Sequence, residues 1–284
     1  MATKVWNGAS VDWNVAGNWS PAGVPANTDD IVFDGTSTQD VTTLVDRSGD
    51  GTWSTDRKFV VTPEYTGTIG GSGAPLIMNF EGVLTYKGGS GSSEFWFDQN
   101  DSGSGMTEAK LAPAGNQANA CRLDGTYIDV DCMRGKVQFE TSAIITDELR
   151  LIADGQLGGS PIVDVPNGVT VTGTEAFVLD GQLLSDVAWP SLVLCANGRV
   201  EHSIDTAATI ALLTQGGGEF VSKLGTVTLY HIYGGRFNGA TYARWVVTTM
   251  HAMRGAIVDL RNGFGLEPAT LNEHVMTTGR ILRD

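Results

Sequence analysis

Gly181-Gln-Leu-Leu184, Gly198-Arg-Val200 and Gly218-Glu-Phe-Val221 repeat one short phrase, a glycine followed closely by an apolar or β-branched pair. The phrase appears earlier at Gly135-Lys-Val-Gln-Phe139 and Gly155-Gln-Leu157, and later at Gly235-Arg-Phe237 and Gly255-Ala-Ile-Val258. Its intervals are 20, 26, 17, 20, 17 and 20 residues, the 26 leaving room for an insertion around Pro161 and Pro166. Between the glycines lie short alternating runs: Leu149-Arg-Leu-Ile152, Val169-Thr-Val-Thr172, Leu192-Val-Leu194, Val227-Thr-Leu-Tyr230 and Trp245-Val-Val-Thr248. A period of two places one face of each strand in a core. A unit of this length is too short for a pair of sandwich sheets. It matches one coil of a solenoid, with glycine where the chain turns sharply. The expectation is an all-β protein, a right-handed parallel β-solenoid. Its predicted interior row is Val137, Leu157, Leu183, Val200, Phe220, Phe237 and Ile257. The rival is an antiparallel sandwich or barrel with regularly spaced strands.

Before residue 135 the repeat blurs. Val60-Val61-Thr62, Gly67-Thr-Ile69, Gly82-Val-Leu-Thr-Tyr86 and Thr126-Tyr-Ile-Asp-Val130 read as wider coils. Gly88 to Asn119 reads as a long excursion that packs back through Phe95-Trp96-Phe97. A solenoid needs caps at its ends, and both ends depart from the phrase. The predicted division is an N-terminal cap or attachment region at 1–59, a solenoid body at 60–262 and a short C-terminal tail at 263–284.

Composition agrees with strands and turns. Glycine makes up 37 of 284 residues, while the chain holds only 6 lysines and 11 glutamates and is 18% charged. That mix disfavours a helical bundle or a doubly wound α/β fold, and 41% hydrophobic residues disfavour disorder. The net charge of −14 argues against a nucleic-acid partner. Residues 1–131 carry 7 basic and 17 acidic side chains (−10), whereas residues 231–284 carry 6 arginines and 4 acids (+2). Cys121, Cys132 and Cys195 cannot all pair and form no zinc-type cluster, so free thiols and a reducing cytoplasm are expected. Neither a secretory leader nor an apolar run of membrane-spanning length is visible, so no membrane partner is expected.

The opening string is Trp6-Asn7-Gly8, Trp13-Asn14, Asn18-Trp19-Ser20, Pro25 and Asp29-Asp30-Ile31-Val32-Phe33-Asp34. It resembles the leader motif of β-solenoid surface proteins of bacteria and of virion proteins of their phages. The rest is similar, less specifically, to Gly-rich β-helical head-decoration and spike proteins of tailed bacteriophages. That resemblance implies a structural virion protein made in the host cytoplasm, commonly a homotrimer. Trp6, Trp13, Asn14, Asn18, Trp19, Asp30 and Phe33 are the expected capping or attachment residues. Arg236, Arg244, Arg254, Arg261, Arg280 and Arg283 are the expected contacts to a major capsid protein or another acidic shell protein.

Other chemistry is sparse. His231 and His251 each precede a repeat glycine by four residues, which predicts stacked positions in neighbouring coils rather than a metal site. Asp46-Arg-Ser48-Gly-Asp50-Gly51 and Asp98-Gln-Asn100-Asp-Ser102-Gly103 match half a calcium loop, but their twelfth positions are Arg57 and Ala109, so polar turns are expected. Asp129 and Asp131, with Arg134 nearby, share a strand face and would suit a polysaccharide-degrading β-helix enzyme, yet a solvated face is the plainer reading. Trp53, Tyr65, Trp96, Trp189, Tyr230, Tyr233 and Tyr242 could make a sugar-stacking surface. No nucleophile elbow, phosphate loop or zincin motif occurs. The expected function is therefore non-catalytic decoration or stabilisation of a phage capsid, with no cofactor. The alternatives are a glycan-binding receptor spike or adhesin and, after that, a polysaccharide-degrading enzyme.

Overall fold

The structure is a computed structural model that describes residues 2–43, 45–89, 93–100, 105–114, 121–153, 159–222, 224–238, 246–252, 256–259, 270–273 and 280–282. Among the described residues the regular structure is β-strand, with 3-10 turns at Ala16–Asn18 and Ser48–Asp50 and no α-helix. No described helix is long and apolar enough to cross a membrane.

The strands pair in parallel ladders. One runs through Thr3–Trp6, Asp30–Phe33, Lys58–Val61, Val83–Tyr86, Met106–Leu111 and the second half of Cys121–Cys132. It continues through Ile144–Leu151, Glu175–Ser185, Trp189–His202, Thr209–Gln215, Thr226–Ile232, Val246–Ala252 and Thr270–Glu273. The ladder therefore crosses both expected region borders, at 59/60 and 262/263. A second ladder carries Leu76–Met78, Phe95–Gln99, the first half of Cys121–Cys132, Gly135–Phe139 and Pro161–Val165. Beyond these come the later halves of Glu175–Ser185 and Trp189–His202, then Glu219–Ser222, Arg236–Asn238, Ile257–Asp259 and Arg280–Leu282. All named pairings within 135–260 are parallel, as the repeat predicts, and none is the hairpin of the antiparallel rival.

Register tests the predicted interior row. Val137 faces Val163, then Leu183, Val200, Phe220, Phe237, Val258 and Ile281 in successive rungs. Upstream the same column holds Cys121, Phe95, Ile69 and Val41. One predicted member is corrected and another is not placed. Leu157 lies outside the described residues, and Val163 occupies the rung. Ile257 stands one residue out of phase, in register with Arg236 and Arg280; a slip of one residue exchanges the two faces of a strand. From Val41 to Phe220 the column's side chains are buried, at 0–1% exposure.

The corners explain part of the glycine content. Cys121–Cys132 pairs with Phe95–Gln99 up to Gly125 and with Met106–Leu111 from Tyr127 onward, so one strand turns from one ladder into the other. Gly125 makes that turn at φ +94°, and a Cβ there would lie 2.0 Å from the Gln99 carbonyl oxygen. Gly181 does the same within Glu175–Ser185, at φ +85° and 2.2 Å from the Pro161 carbonyl.

The segment 88–119, expected as an excursion, holds full rungs instead: Phe95–Gln99 and Met106–Leu111 are strands in the two ladders. The alternation of Phe95-Trp96-Phe97 is the reason, because Phe95 and Phe97 enter the core while Trp96 stays on the outer face. Aromatic rings fill the early core, with Tyr86 stacked on Phe95 at 4.4 Å and Phe33 packed against Phe59 and Tyr65. Aliphatic residues fill much of the later core. Each such side chain taken from water contributes about 1.5–3 kcal/mol before conformational entropy is charged against it.

Candidate functional site

The opening motif forms one cluster. Trp6, Trp13, Trp19 and Phe33 are all buried, with the Trp19 ring centroid 5.0 Å from Trp6, 4.7 Å from Trp13 and 5.8 Å from Phe33. Trp6 Nε1 donates to the Gln39 carbonyl at 3.1 Å and Trp19 Nε1 to the Trp13 carbonyl at 2.9 Å. Asn18 is buried and closes the loop, accepting from Ala9 N and donating to Ser10 Oγ and the Asp12 carbonyl. Asn14 and Asp30 lie outside the cluster and tie it forward, Asn14 to Arg47 and Asp30 to Lys58 N. Trp19–Ser20 runs antiparallel to Thr3–Trp6, the one named pairing of that kind among the described residues, and covers the strand edge opposite Asp30–Phe33. The indoles are interior, so an attachment through this end would use other atoms.

The arginine set is placed only in part. Arg236 is exposed and in register beside Glu219. Arg280 falls on the same column two rungs later. Arg244, Arg254, Arg261 and Arg283 lie outside the described residues.

His231 and His251 are adjacent rungs, as their spacing predicts, with ring centroids 5.1 Å apart. Burial, and then the neighbouring His251, lower the His231 pKa. Among the described residues no three His, Cys, Asp or Glu groups gather as metal ligands. Asp46 accepts from Ser48 N and Oγ in a tight polar turn, and these bonds hold its carboxyl below the usual range. Arg47 pairs with Asp50 at 2.5 Å, leaving that half-motif a turn. In the other half-motif, residues 101–104 lie outside the described residues.

Asp129 and Asp131 do share an outer face, but in different surroundings. Asp131 is held by Arg150 at 2.5 Å. Asp129 sits in a column of acids, Glu108, Asp129, Glu148 and Glu175, in which Lys110 pairs with Glu108 and Arg150 with Glu148. Cys121 and Cys132 are buried free thiols whose pKa burial pushes up; the half-buried Cys195 shifts the same way.

The aromatic set separates sharply. Trp53, Tyr65, Trp189 and Tyr230 are core residues at 0–1% exposure. Tyr233 is 48% exposed. Tyr242 lies outside the described residues. Trp96 alone of the set lines a cleft of about 220 Å³, together with Pro75, Asp98, Arg122, Asp124, Glu140 and Ser142. The ladder builds this cleft: Trp96 is in register with Arg122, and Asp98 with Asp124. The Arg122 guanidinium lies over the Trp96 ring at 4.5 Å and pairs with Glu140 at 3.2 Å. Trp96 Nε1 donates to Glu94 at 2.6 Å. Asp124 accepts both from Ser142 Oγ at 2.8 Å and from Gly125 N at 2.9 Å. No hydrogen bond reaches the Asp98 carboxylate among the described residues. Burial, then Asp124 and Asp46, raise its pKa. Sequence reasoning named Trp96 and Asp98 separately and missed Arg122, Asp124 and Glu140. The signal was the equal 26-residue spacing of Trp96 from Arg122 and of Asp98 from Asp124, one full rung of the ladder.

Comparison with protein-family models, with curated proteins and with solved structures finds no match to this chain.

Proposed function

We propose that the chain is a structural virion protein, a right-handed parallel β-solenoid that decorates or stabilises a bacteriophage capsid without a catalytic role. The observation that carries the structural part is the unbroken column from Val41 to Ile281. Eleven steps at a strand spacing of about 4.8 Å give a rod about 50 Å long. Hydrogen bonds between successive described rungs suit a stiff structural element. Right-handed winding follows from the strong preference of parallel strand connections for that hand. The virion part is supported by the resemblance of the opening string, whose Trp6, Trp13, Trp19 and Phe33 form one buried cluster.

A homotrimer bound to a major capsid protein completes the proposal. A thin rod has much flank for its volume, and closed symmetry buries it. Antibody labelling of virions tests decoration: label spread over the head is expected, and label confined to the tail tip would overturn it. Sedimentation showing a stable monomer at micromolar concentration would overturn the trimer. Deleting residues 263–284 is expected to abolish capsid binding; unchanged binding would move the contact to residues 1–35.

A further inference from the structure

We infer that the Trp96 cleft is a saccharide-binding site that takes one sugar unit presenting vicinal hydroxyls. This goes beyond the scaffold reading and does not rest on it. Three observations carry it.

First, the donors and acceptors are held in place before any ligand arrives. Arg122 is clamped between the Trp96 ring at 4.5 Å and Glu140 at 3.2 Å, so its remaining N–H groups are fixed donors. Asp124 is fixed by Ser142 and Gly125. Preorganisation of this kind removes the entropy cost that weakens most polar surface contacts.

Second, one acceptor is left over. Asp98 is half-buried beside Asp124, and no hydrogen bond reaches its carboxylate among the described residues. The Asp98 oxygens are not among the enclosed polar atoms, so the carboxylate opens into the cleft and can accept from a ligand hydroxyl, while Arg122 and Ser142 supply groups for the neighbouring ligand oxygens.

Third, size and charge select among ligands. A cleft of about 220 Å³ lies below the ~300 Å³ at which pockets for drug-sized ligands begin. Its lining holds three carboxylates and one guanidinium, which repels phosphate and uronate ligands, and the Arg122 charge opposes a bare metal ion. Neutral polyhydroxyl rings meet both constraints. The Trp96–Arg122 stack occupies a ring face, so the ligand meets the guanidinium and the indole edge rather than an open aromatic platform.

The test uses the full chain on an array of neutral, amino-sugar and uronic-acid oligosaccharides, followed by calorimetric titration with the neutral oligosaccharide that binds. Asp98→Asn and Arg122→Gln change outward-facing side chains and are checked for wild-type circular dichroism and melting. Each is expected to weaken binding about tenfold or more, the loss that follows when a hydrogen bond to a charged group is removed. Tyr233→Ala, at an exposed aromatic outside the cleft, is expected to leave binding unchanged. Should Asp98→Asn misfold, wild-type Trp96 fluorescence is expected to become shielded from acrylamide when the same oligosaccharide is added. Absence of neutral-glycan binding, binding confined to uronic acids, or wild-type affinity in folded Asp98→Asn and Arg122→Gln would overturn the inference. Reducing-sugar release that Asp98→Asn abolishes would support the site while overturning the non-catalytic reading above.

Discussion

Acid should weaken this protein through one buried imidazole. His202 is fully buried, in register with Ser185 on one side and Ser222 on the other, and stacked near Phe220. Its Nε2 lies 3.1 Å from the Val187 carbonyl and its Nδ1 lies 3.0 Å from Ser203 Oγ. The neutral ring satisfies both contacts, with Nε2–H donating to Val187 and Nδ1 accepting from the Ser203 hydroxyl. Protonating Nδ1 would turn the Ser203 hydroxyl into an acceptor and place a charge in the core. Burial therefore dominates and lowers the pKa from 6.5 to about 4, against smaller opposing contributions from Val187 and Asp186.

Between pH 6.5 and pH 4 the unfolded chain binds a proton at this residue and the folded chain does not, so stability falls as pH drops. The contribution is fully present above the unfolded pKa and gone below the folded one. At pH 5.0 the loss is about 2 kcal/mol, from 1.36 kcal/mol per pH unit over about 1.5 units. Wild type and His202→Gln would be unfolded in urea at pH 7.5 and pH 5.0, followed by circular dichroism. Glutamine keeps an amide donor for Val187 and does not titrate in this range. Wild type should lose about 2 kcal/mol more than the variant across that interval, because carboxylate titration is common to both. Equal losses in the two proteins would refute the reasoning.

Phe33→Ala should cost about 3–5 kcal/mol in urea unfolding, since Phe33 joins the three opening tryptophans to Phe59 and Tyr65; a loss under 1 kcal/mol would detach that cluster from the core. Gly125→Ala should cost more than the roughly 1–2 kcal/mol of a left-handed residue, because its Cβ also meets the Gln99 carbonyl oxygen at 2.0 Å; an unchanged melting midpoint would contradict the corner geometry. Arg150→Ala, which removes contacts to the part-exposed Asp131 and Glu148, should change stability by less than about 1 kcal/mol, an effect that shrinks in high salt. Cys121 and Cys132 should resist a thiol reagent at pH 8 in the native state and react on unfolding; rapid native labelling of either would place it outside the core.

Much of the parallel stack is legible in the chain itself. Alternation marks which side chains enter the core, and the recurrent glycines mark the corners, so Val137, Leu183, Val200, Phe220 and Phe237 fall on one column as predicted. Local chemistry suffices there because a two-residue period and a sharp turn are properties of a few neighbouring residues. It fails where adjacent residues are chemically alike. Ile257 and Val258 are both β-branched, and only the hydrogen bonds to Arg236–Asn238 choose Val258 for the column. It fails again in the early half, where Val41, Ile69 and Phe95 join the column at intervals of 28 and 26 residues, longer than the 17 to 20 that most of the later glycine phrases keep.

The cleft belongs wholly to tertiary structure. Trp96 and Arg122 are 26 residues apart in sequence and one rung apart in space, and Glu140 reaches them from the rung after. The sequence could say that Trp96 alternates outward, but not that a guanidinium covers it or that Asp98 is left beside Asp124. Those facts depend on strand register, which is decided by packing and hydrogen bonding summed over the whole stack.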